Sequence, residues 1–397
     1  MFCCRTGMQF RMRFRRRMHK RYFQKGGAGM AQGHIDVVSD FIYDASNQQY
    51  NRAYKFWRKN TPSAGAYRYI DNERESVFVS GKPSARSTAA QTEKRALSFS
   101  AEVIGAALLV LLVCALGGSS LLIWILRQFG VNIQLDFLTL SMRGNQWTVT
   151  AVRALSEMLK FGIPLIILMR FFRLPPRVVL PHGFGGLSPL IAAIGFGAVC
   201  SACYALTAHT GAIETMQGIY SYKDPEAVLT YALFDIVFVS VISELLLRGA
   251  ILPVLRQFGD LFAVGITACI GFLIPAGLSL RLSELMIGLT AGYLLLRSGS
   301  VWNCIILRVI FSSLEYARLW VVYANGSLSL AGYVLLLLGG GGACVLIYVL
   351  RRHRRLLLAN RHTALTLREK LLAFSQTVTS LPWLAASALL ALLQLFY

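Results

Sequence analysis

From residue 103 onward the chain returns repeatedly to apolar stretches of about 18 residues or more, and that pattern limits it to one broad class of fold. Wound as a helix, each stretch crosses roughly 30 Å of hydrocarbon. A water-soluble core is written in shorter amphipathic runs, so the stretches read as membrane spans. Composition agrees: 55% of residues are hydrophobic and 15% are charged, where a soluble domain carries about a quarter charged. Nine spans are expected, at 103–126, 154–172, 187–208, 227–247, 261–278, 283–296, 301–320, 328–350 and 381–396. The second, sixth and seventh carry charges, and the last is short enough to lie along the surface instead. The expected fold is all-α, a polytopic membrane helix bundle of about eight to nine transmembrane helices with a basic N-terminal cytoplasmic arm. Residues 1–98 form the arm and linker, 99–350 the transmembrane domain, and 351–397 a basic loop with a C-terminal apolar helix.

The net charge of +21 is spread unevenly, and its distribution orients the spans. Arg173 and Arg177 follow span two, Arg248 and Arg256 follow span four, and Arg297 follows span six. Arg351, Arg352, Arg354 and Arg355 follow span eight. All fall on the side of the basic arm, which the positive-inside rule assigns to the cytoplasm. The loop with Glu214, Lys223, Asp224 and Glu226 is net acidic and falls outside. The expected placement is a multi-pass protein of the cell membrane with its N-terminus in the cytoplasm.

The arm holds nine Lys or Arg between Arg5 and Lys25 and no apolar run that could be a signal-peptide core. Contact with anionic lipid headgroups and the absence of any specific role are the two leading readings, and nucleic-acid binding is the weakest. A start of translation at Met30 is a further alternative. Tyr43, Tyr50, Tyr54 and Trp57 share a helical spacing among Arg52, Lys55, Arg58 and Lys59, which fits either an interfacial helix or a solvated linker. Residues 60–98 read as linker. Among eight cysteines, Cys114, Cys200, Cys203, Cys269 and Cys344 fall inside apolar segments, where thiols serve as small hydrophobes. Packing therefore outweighs a redox or metal role for the Cys200-x-x-Cys203 pair, and nothing else supports lipidation of Cys3 or Cys4. Gly288 and Gly292 stand four apart in span six, a spacing that lets a neighbouring helix approach closely. The run Gly339 to Gly342 suits either such a contact or a bend.

Span four ends in Ser243-Glu244-Leu245-Leu246-Leu247-Arg248-Gly249, followed by Ala250-Ile251-Leu252-Pro253-Val254-Leu255. A second stretch, Leu285 to Trp302, spaces Gly288 and Gly292 along a helix that ends in Arg297-Ser298-Gly299-Ser300-Val301-Trp302. In this order and distance the two resemble the CPBP family of intramembrane proteases (CAAX protease and bacteriocin-processing, Abi-type), whose first motif is Glu-Glu-x-x-x-Arg-Gly. The likeness covers roughly residues 230–320, within a CPBP-like core at about 187–320. It implies a bundle with a buried site open toward the cytoplasm. It further implies peptide hydrolysis by paired glutamates, a His from Phe-x-x-x-His and a His-x-x-x-Asn/Asp pair. A carboxylate takes the proton from water there, and His, Asn or a metal stabilises the oxyanion.

The chain departs from that set at most positions. Ser243 stands for the first glutamate, Ala276 for the histidine after Phe272, Arg308 for the next histidine and Ser312 for its asparagine. Glu244 and Arg248 remain, and their i, i+4 spacing makes an ion pair in any helix. Alanine offers no lone pair and guanidinium cannot ligate a metal, so no metal ligand and no cofactor is expected. Zinc belongs only to an active form. His182 and His209 do not obviously compensate. The reading that follows is a non-catalytic pseudoprotease acting as membrane scaffold or binding protein, its partner an unknown membrane protein or peptide. The alternative is an active endopeptidase of the CAAX or bacteriocin-immunity type using Glu244 with Cys269, Cys304 or Glu284. Arg308 is expected to pair with Glu244 and fill the former site, with Arg248 flanking. Asp235, nine residues before Glu244 and half a turn out of phase, is expected to serve a separate contact.

Overall fold

A computed structural model describes residues 56–57, 89–131, 133–135, 142–180, 187–207, 225–274, 278–325, 327–352 and 365–396. These residues belong to one unit, 37–397. The Met30 start, Ala276, His182 and His209 lie outside the described residues, as do the basic arm and linker apart from Phe56, Trp57 and residues 89–98, the last of which are the first turns of a helix instead of linker.

Among the described residues all nine apolar segments form helices, as their length and composition require. The helices are α1 (Ala89–Gln128), α2 (Gln146–Phe172), α3 (Pro176–Val179) and α4 (Leu187–Thr207). Next come α5, a continuous run over 225–256, and α6 (Asp260–Leu273), α7 (Leu278–Ser298) and α8 (Val301–Asn325). The last are α9 (Ser327–Arg352), α10 (Leu367–Ser375) and α11 (Ser380–Phe396). The exception to the helical pattern is a small antiparallel ribbon between α1 and α2. In it β1 (Ile133–Leu135) pairs with β2 (Met142–Gly144) in the register Ile133 opposite Gly144. Asn145 then starts α2 by accepting from the Trp147 amide, filling one of the helix's open donors.

Four helices are long and apolar enough to cross a membrane: Glu93–Gln128, Leu187–Leu206, Ala232–Arg256 and Leu330–Leu350. A fifth crossing results if Leu367–Ser375 and Ser380–Leu393, bent by 87°, count as one broken span. The higher count of eight to nine is not reached on that criterion. The reason is physical: α2, α7 and α8 carry charged side chains within their apolar sequence, and α6 is short. Those charges are matched inside the protein, in the ion pairs Lys160–Glu157, Arg308–Glu284 and Arg318–Glu315. A further pocket of this kind joins Ser201 of α4 to Glu315 at 2.8 Å, with Arg318 over the Tyr204 ring.

Small residues set the closest helix contacts. A Cβ on Gly288 would lie 2.6 Å from the Ala268 Cα, and one on Gly292 would lie 2.9 Å from Val264. The order of these partners runs α6 and α7 antiparallel. Gly341 sits against Ala198 and the Gly195 carbonyl, and α9 passes through the run Gly339 to Gly342 as unbroken helix. The Cβ of alanine is therefore unwelcome at 288 although alanine is the better helix former. Gly288→Ala is expected to cost about 1–3 kcal/mol through overpacking. Gly332→Ala, with open space around it, should be neutral or stabilise by up to about 1 kcal/mol. Thermal unfolding midpoints of both variants in the same detergent check this, and equal shifts would contradict it.

The basic ends of α2, α5 and α7 and the basic start of α10 gather at one end of the bundle. Phe99, near the start of α1, packs on Phe171 at the end of α2 with ring centroids 5.8 Å apart. Lys370 of α10 binds Glu93 of α1 and also donates to the Phe258 carbonyl, between α5 and α6. The Leu365 amide donates to the other Glu93 oxygen at 3.0 Å. Arg256 and Asp260 pair at 3.0 Å beside them, and the antiparallel α6–α7 contact brings the Arg297 end of α7 to the same level. The turn before α11 is held on α1 by the Thr379 and Ser380 hydroxyls, which donate to the Glu102 and Ala101 carbonyls. Trp57 is buried here, its indole donating to the Phe172 carbonyl at 3.2 Å, so it packs on the bundle instead of lying on an interfacial helix face.

Candidate functional site

The helix that carries Glu244 is not a regular α-helix. Within α5, Asp235–Val239 and Leu245–Ile251 are π-helical, separated by one α-turn, Ser240–Glu244. Pro253 follows the second wide segment and has no amide hydrogen to give to the turn before it. Gly249 lets the Val179 carbonyl come close, since a Cβ there would lie 2.7 Å from that oxygen. Wide turns of this kind often mark functional stretches of membrane and soluble helices alike.

Glu244 and Arg248 are both fully buried and pair with each other, Nη1 to Oε1 at 3.1 Å. The second carboxylate oxygen of Glu244 and the Nε of Arg248 have no hydrogen-bond partner among the described residues. Ser243 is turned back on its own helix, its hydroxyl donating to the Ser240 carbonyl at 3.2 Å. Gly288 leaves room for the Arg248 guanidinium, 3.2 Å from where a Cβ would stand.

Arg308 does not take Glu244 as its partner, contrary to the expectation from sequence. Its guanidinium pairs with Glu284 of α7. The physical reason is that α7 begins at Leu278, which places Glu284 inside the helix beside α8, while Arg248 already neutralises Glu244 from one turn away. Glu244 and Asp235 remain within electrostatic reach of Arg308. Asp235 serves a contact separate from that of Glu244, as its half-turn offset led one to expect. Asp235 accepts from the Tyr316 hydroxyl at 3.2 Å, and the Ser240 and Ser312 hydroxyls stand 3.5 Å apart between these levels. A polar seam thus joins α5 to α8 and continues to α7. Tyr316 and Ser240 had no signal in the sequence, being ordinary residues of apolar helices. Glu284 did stand out, as a carboxylate in an apolar segment.

Zinc, which the resemblance brings with it, does not fit the residues found here. Among the described residues no three His, Cys, Asp or Glu side chains are grouped to hold a metal ion. At one of the family's histidine positions stands Arg308, a permanent cation already paired with Glu284. Nor are the thiols placed to substitute. Cys304 is buried and donates to the Ala291 carbonyl at 3.2 Å, and Cys269 is exposed. Cys200 is buried and Cys203 half-buried, with no disulfide between them.

Comparison with known proteins isolates the same stretch of chain. No curated protein and no solved structure matches the chain. Residues 225–314 match the Rce1-like family, described as type II CAAX prenyl endopeptidase Rce1-like. That match begins with α5 and ends within α8, so it takes in the two π-helical segments, the α6–α7 hairpin and Arg308. Over 225–314 the chain is therefore similar to the Rce1-like family, and the resemblance to the CPBP family is borne out for the segment that holds Glu244, Glu284 and Arg308.

Proposed function

We propose that this Rce1-like membrane protein is a non-catalytic pseudoprotease that acts as a membrane scaffold or binding protein. The observation that carries the reading is the pairing of Arg308 with Glu284, beside a Glu244 already paired with Arg248. A general base must be free to take a proton from water, and an oxyanion needs donors aimed at it. Here one retained carboxylate is buried and neutralised, and the side chain at a histidine position is a cation held by its own acid. Losing a base costs about 10²–10⁴-fold, and losing oxyanion donors costs about 10²–10³-fold. Together these losses leave little rate. An active peptidase built on Glu244 with Cys269, Cys304 or Glu284 has less support. Glu284 is engaged by Arg308, Cys304 is buried against a carbonyl, and Cys269 faces outward.

The test is hydrolysis of a fluorogenic prenylated CAAX peptide by the full-length protein in liposomes. The expected rate equals that of empty liposomes. Cleavage that disappears in Glu244→Ala would establish the active reading instead.

The eight-to-nine-span topology with N-terminus in the cytoplasm belongs to the same proposal. It is supported by the gathering of the α2, α5, α7 and α10 basic ends at one end of the bundle, as the positive-inside rule asks. Reporter fusions after Arg177, Arg256 and Arg355 are expected to read cytoplasm, and one after Tyr222 to read outside. A reversed signal at Arg355 would remove one crossing from the count.

A further inference from the structure

The end of α2 carries a feature that the polar seam does not use. Ile166, Met169, Arg170 and Leu174 line an open cavity of about 290 Å³. Three of the four lining residues are apolar, and Ile166 is 60% exposed. The fourth, Arg170, lies in the last turn of α2, where an exposed guanidinium borders the apolar wall. Helix α2 stops here because Arg173 adopts a left-handed conformation, φ 51°, and its amide donates to the Met169 carbonyl. That turn leaves Arg173 and Arg177 exposed beyond the helix end.

The stretch of chain that carries this groove is one-sided in charge. From residue 158 to residue 213 the sequence has no Asp or Glu, and it holds Lys160, Arg170, Arg173 and Arg177. Lys160 is satisfied by Glu157 at 3.1 Å. Phe99, Phe171 and Phe172 stack beside the groove, and the Trp57 indole is fixed on the Phe172 carbonyl. Of these, tryptophan is the side chain that gathers at the level of lipid headgroups. In sequence, Trp57 stands among Lys55, Arg58 and Lys59.

The geometry points to a binding site for one molecule of an anionic phospholipid on the basic end of α2. The apolar wall of Ile166, Met169 and Leu174 takes an acyl chain, and the Arg170 guanidinium takes the phosphate. Arginine suits that role because its planar fork bonds two phosphate oxygens at once. Arg173 and Arg177 add attraction for the headgroup, as basic groups do near a negatively charged surface. The occupant is a lipid and not a free phosphate, since among the described residues the cavity offers the phosphate one polar side chain and the hydrocarbon three apolar ones. The site rests on the membrane placement of the protein and is independent of whether the seam at Glu244 is catalytic.

The experiment uses full-length protein in a neutral detergent. Its unfolding midpoint is read as phosphatidylglycerol, phosphatidylcholine with the same chains, or inorganic phosphate is added. A ligand that binds only the folded state raises the midpoint with its concentration. Phosphatidylglycerol is expected to raise it by about 3 °C more than phosphatidylcholine, and inorganic phosphate not at all. Arg170→Gln should lose most of that difference, and Ile166→Trp, which fills the apolar wall without touching charge, should lose it too. Arg297→Gln should keep it. Arg170 is exposed, so its variant is not expected to misfold. Equal shifts with both lipids, a full shift in Arg170→Gln, or the same shift from inorganic phosphate would overturn the assignment. So would loss of the shift in Arg297→Gln alone, which would move the site to the end of α7.

Discussion

Replacing Arg248 with leucine is expected to destabilise the protein by about 3–5 kcal/mol, because it leaves Glu244 as an unpaired charge in a fully buried position. Glu244→Leu should cost a similar amount by stranding the guanidinium. The double variant Arg248→Leu with Glu244→Leu should recover most of the loss, since two apolar side chains of similar volume replace a pair whose desolvation roughly cancels its attraction. The outcome matters beyond stability. The open carboxylate oxygen of Glu244 and the open Nε of Arg248 are costs that a purely structural pair has no reason to keep. Urea or thermal unfolding of the three variants in one detergent forms the cycle. A double variant no more stable than the single ones would mean that the pair holds neighbouring groups in place as well as each other.

The second large effect is expected at the other end of the bundle. Lys370→Met removes the cation from a wholly buried Glu93 and should cost about 3–5 kcal/mol. The loss falls first on α10 and α11, which Lys370 ties to α1 and to the Phe258 carbonyl. Limited proteolysis is expected to nick the chain around residue 365 faster in this variant than cleavage elsewhere accelerates. Adding Glu93→Leu should restore only part of the stability, because the Leu365 amide then loses its acceptor as well. Uniform acceleration of cleavage along the chain would show that the hairpin is not a separately released unit.

What could be read in advance follows from the range of the forces involved. The apolar segments alone dictated helices at every expected position, since a stretch of that length has no other way to satisfy its backbone away from water. Motif one also placed Glu244 and Arg248 against each other, because i, i+4 geometry is local. The partner of Arg308 was not legible. Which of Glu244 and Glu284 it meets depends on how α7 and α8 lie together, a tertiary fact. The wide turns of α5 were hidden too, since no hydrophobic periodicity announces a π-helical segment. The Glu93–Lys370 pair was hidden for a third reason. It joins residues near opposite ends of the chain, and each alone looks like a loop charge.

That last pair also bears on how the protein is made. Chains emerge from the ribosome at about 5–20 residues per second, and domains form in the order of synthesis. Glu93 is among the first residues of the first long apolar helix, while the amide and ammonium that satisfy it belong to Leu365 and Lys370. Their separation of 272 residues for the amide corresponds to roughly 15–55 seconds of elongation. Through all that time these two partners are still to come. Completion of the bundle around the start of α1 is therefore coupled to arrival of the C-terminal hairpin.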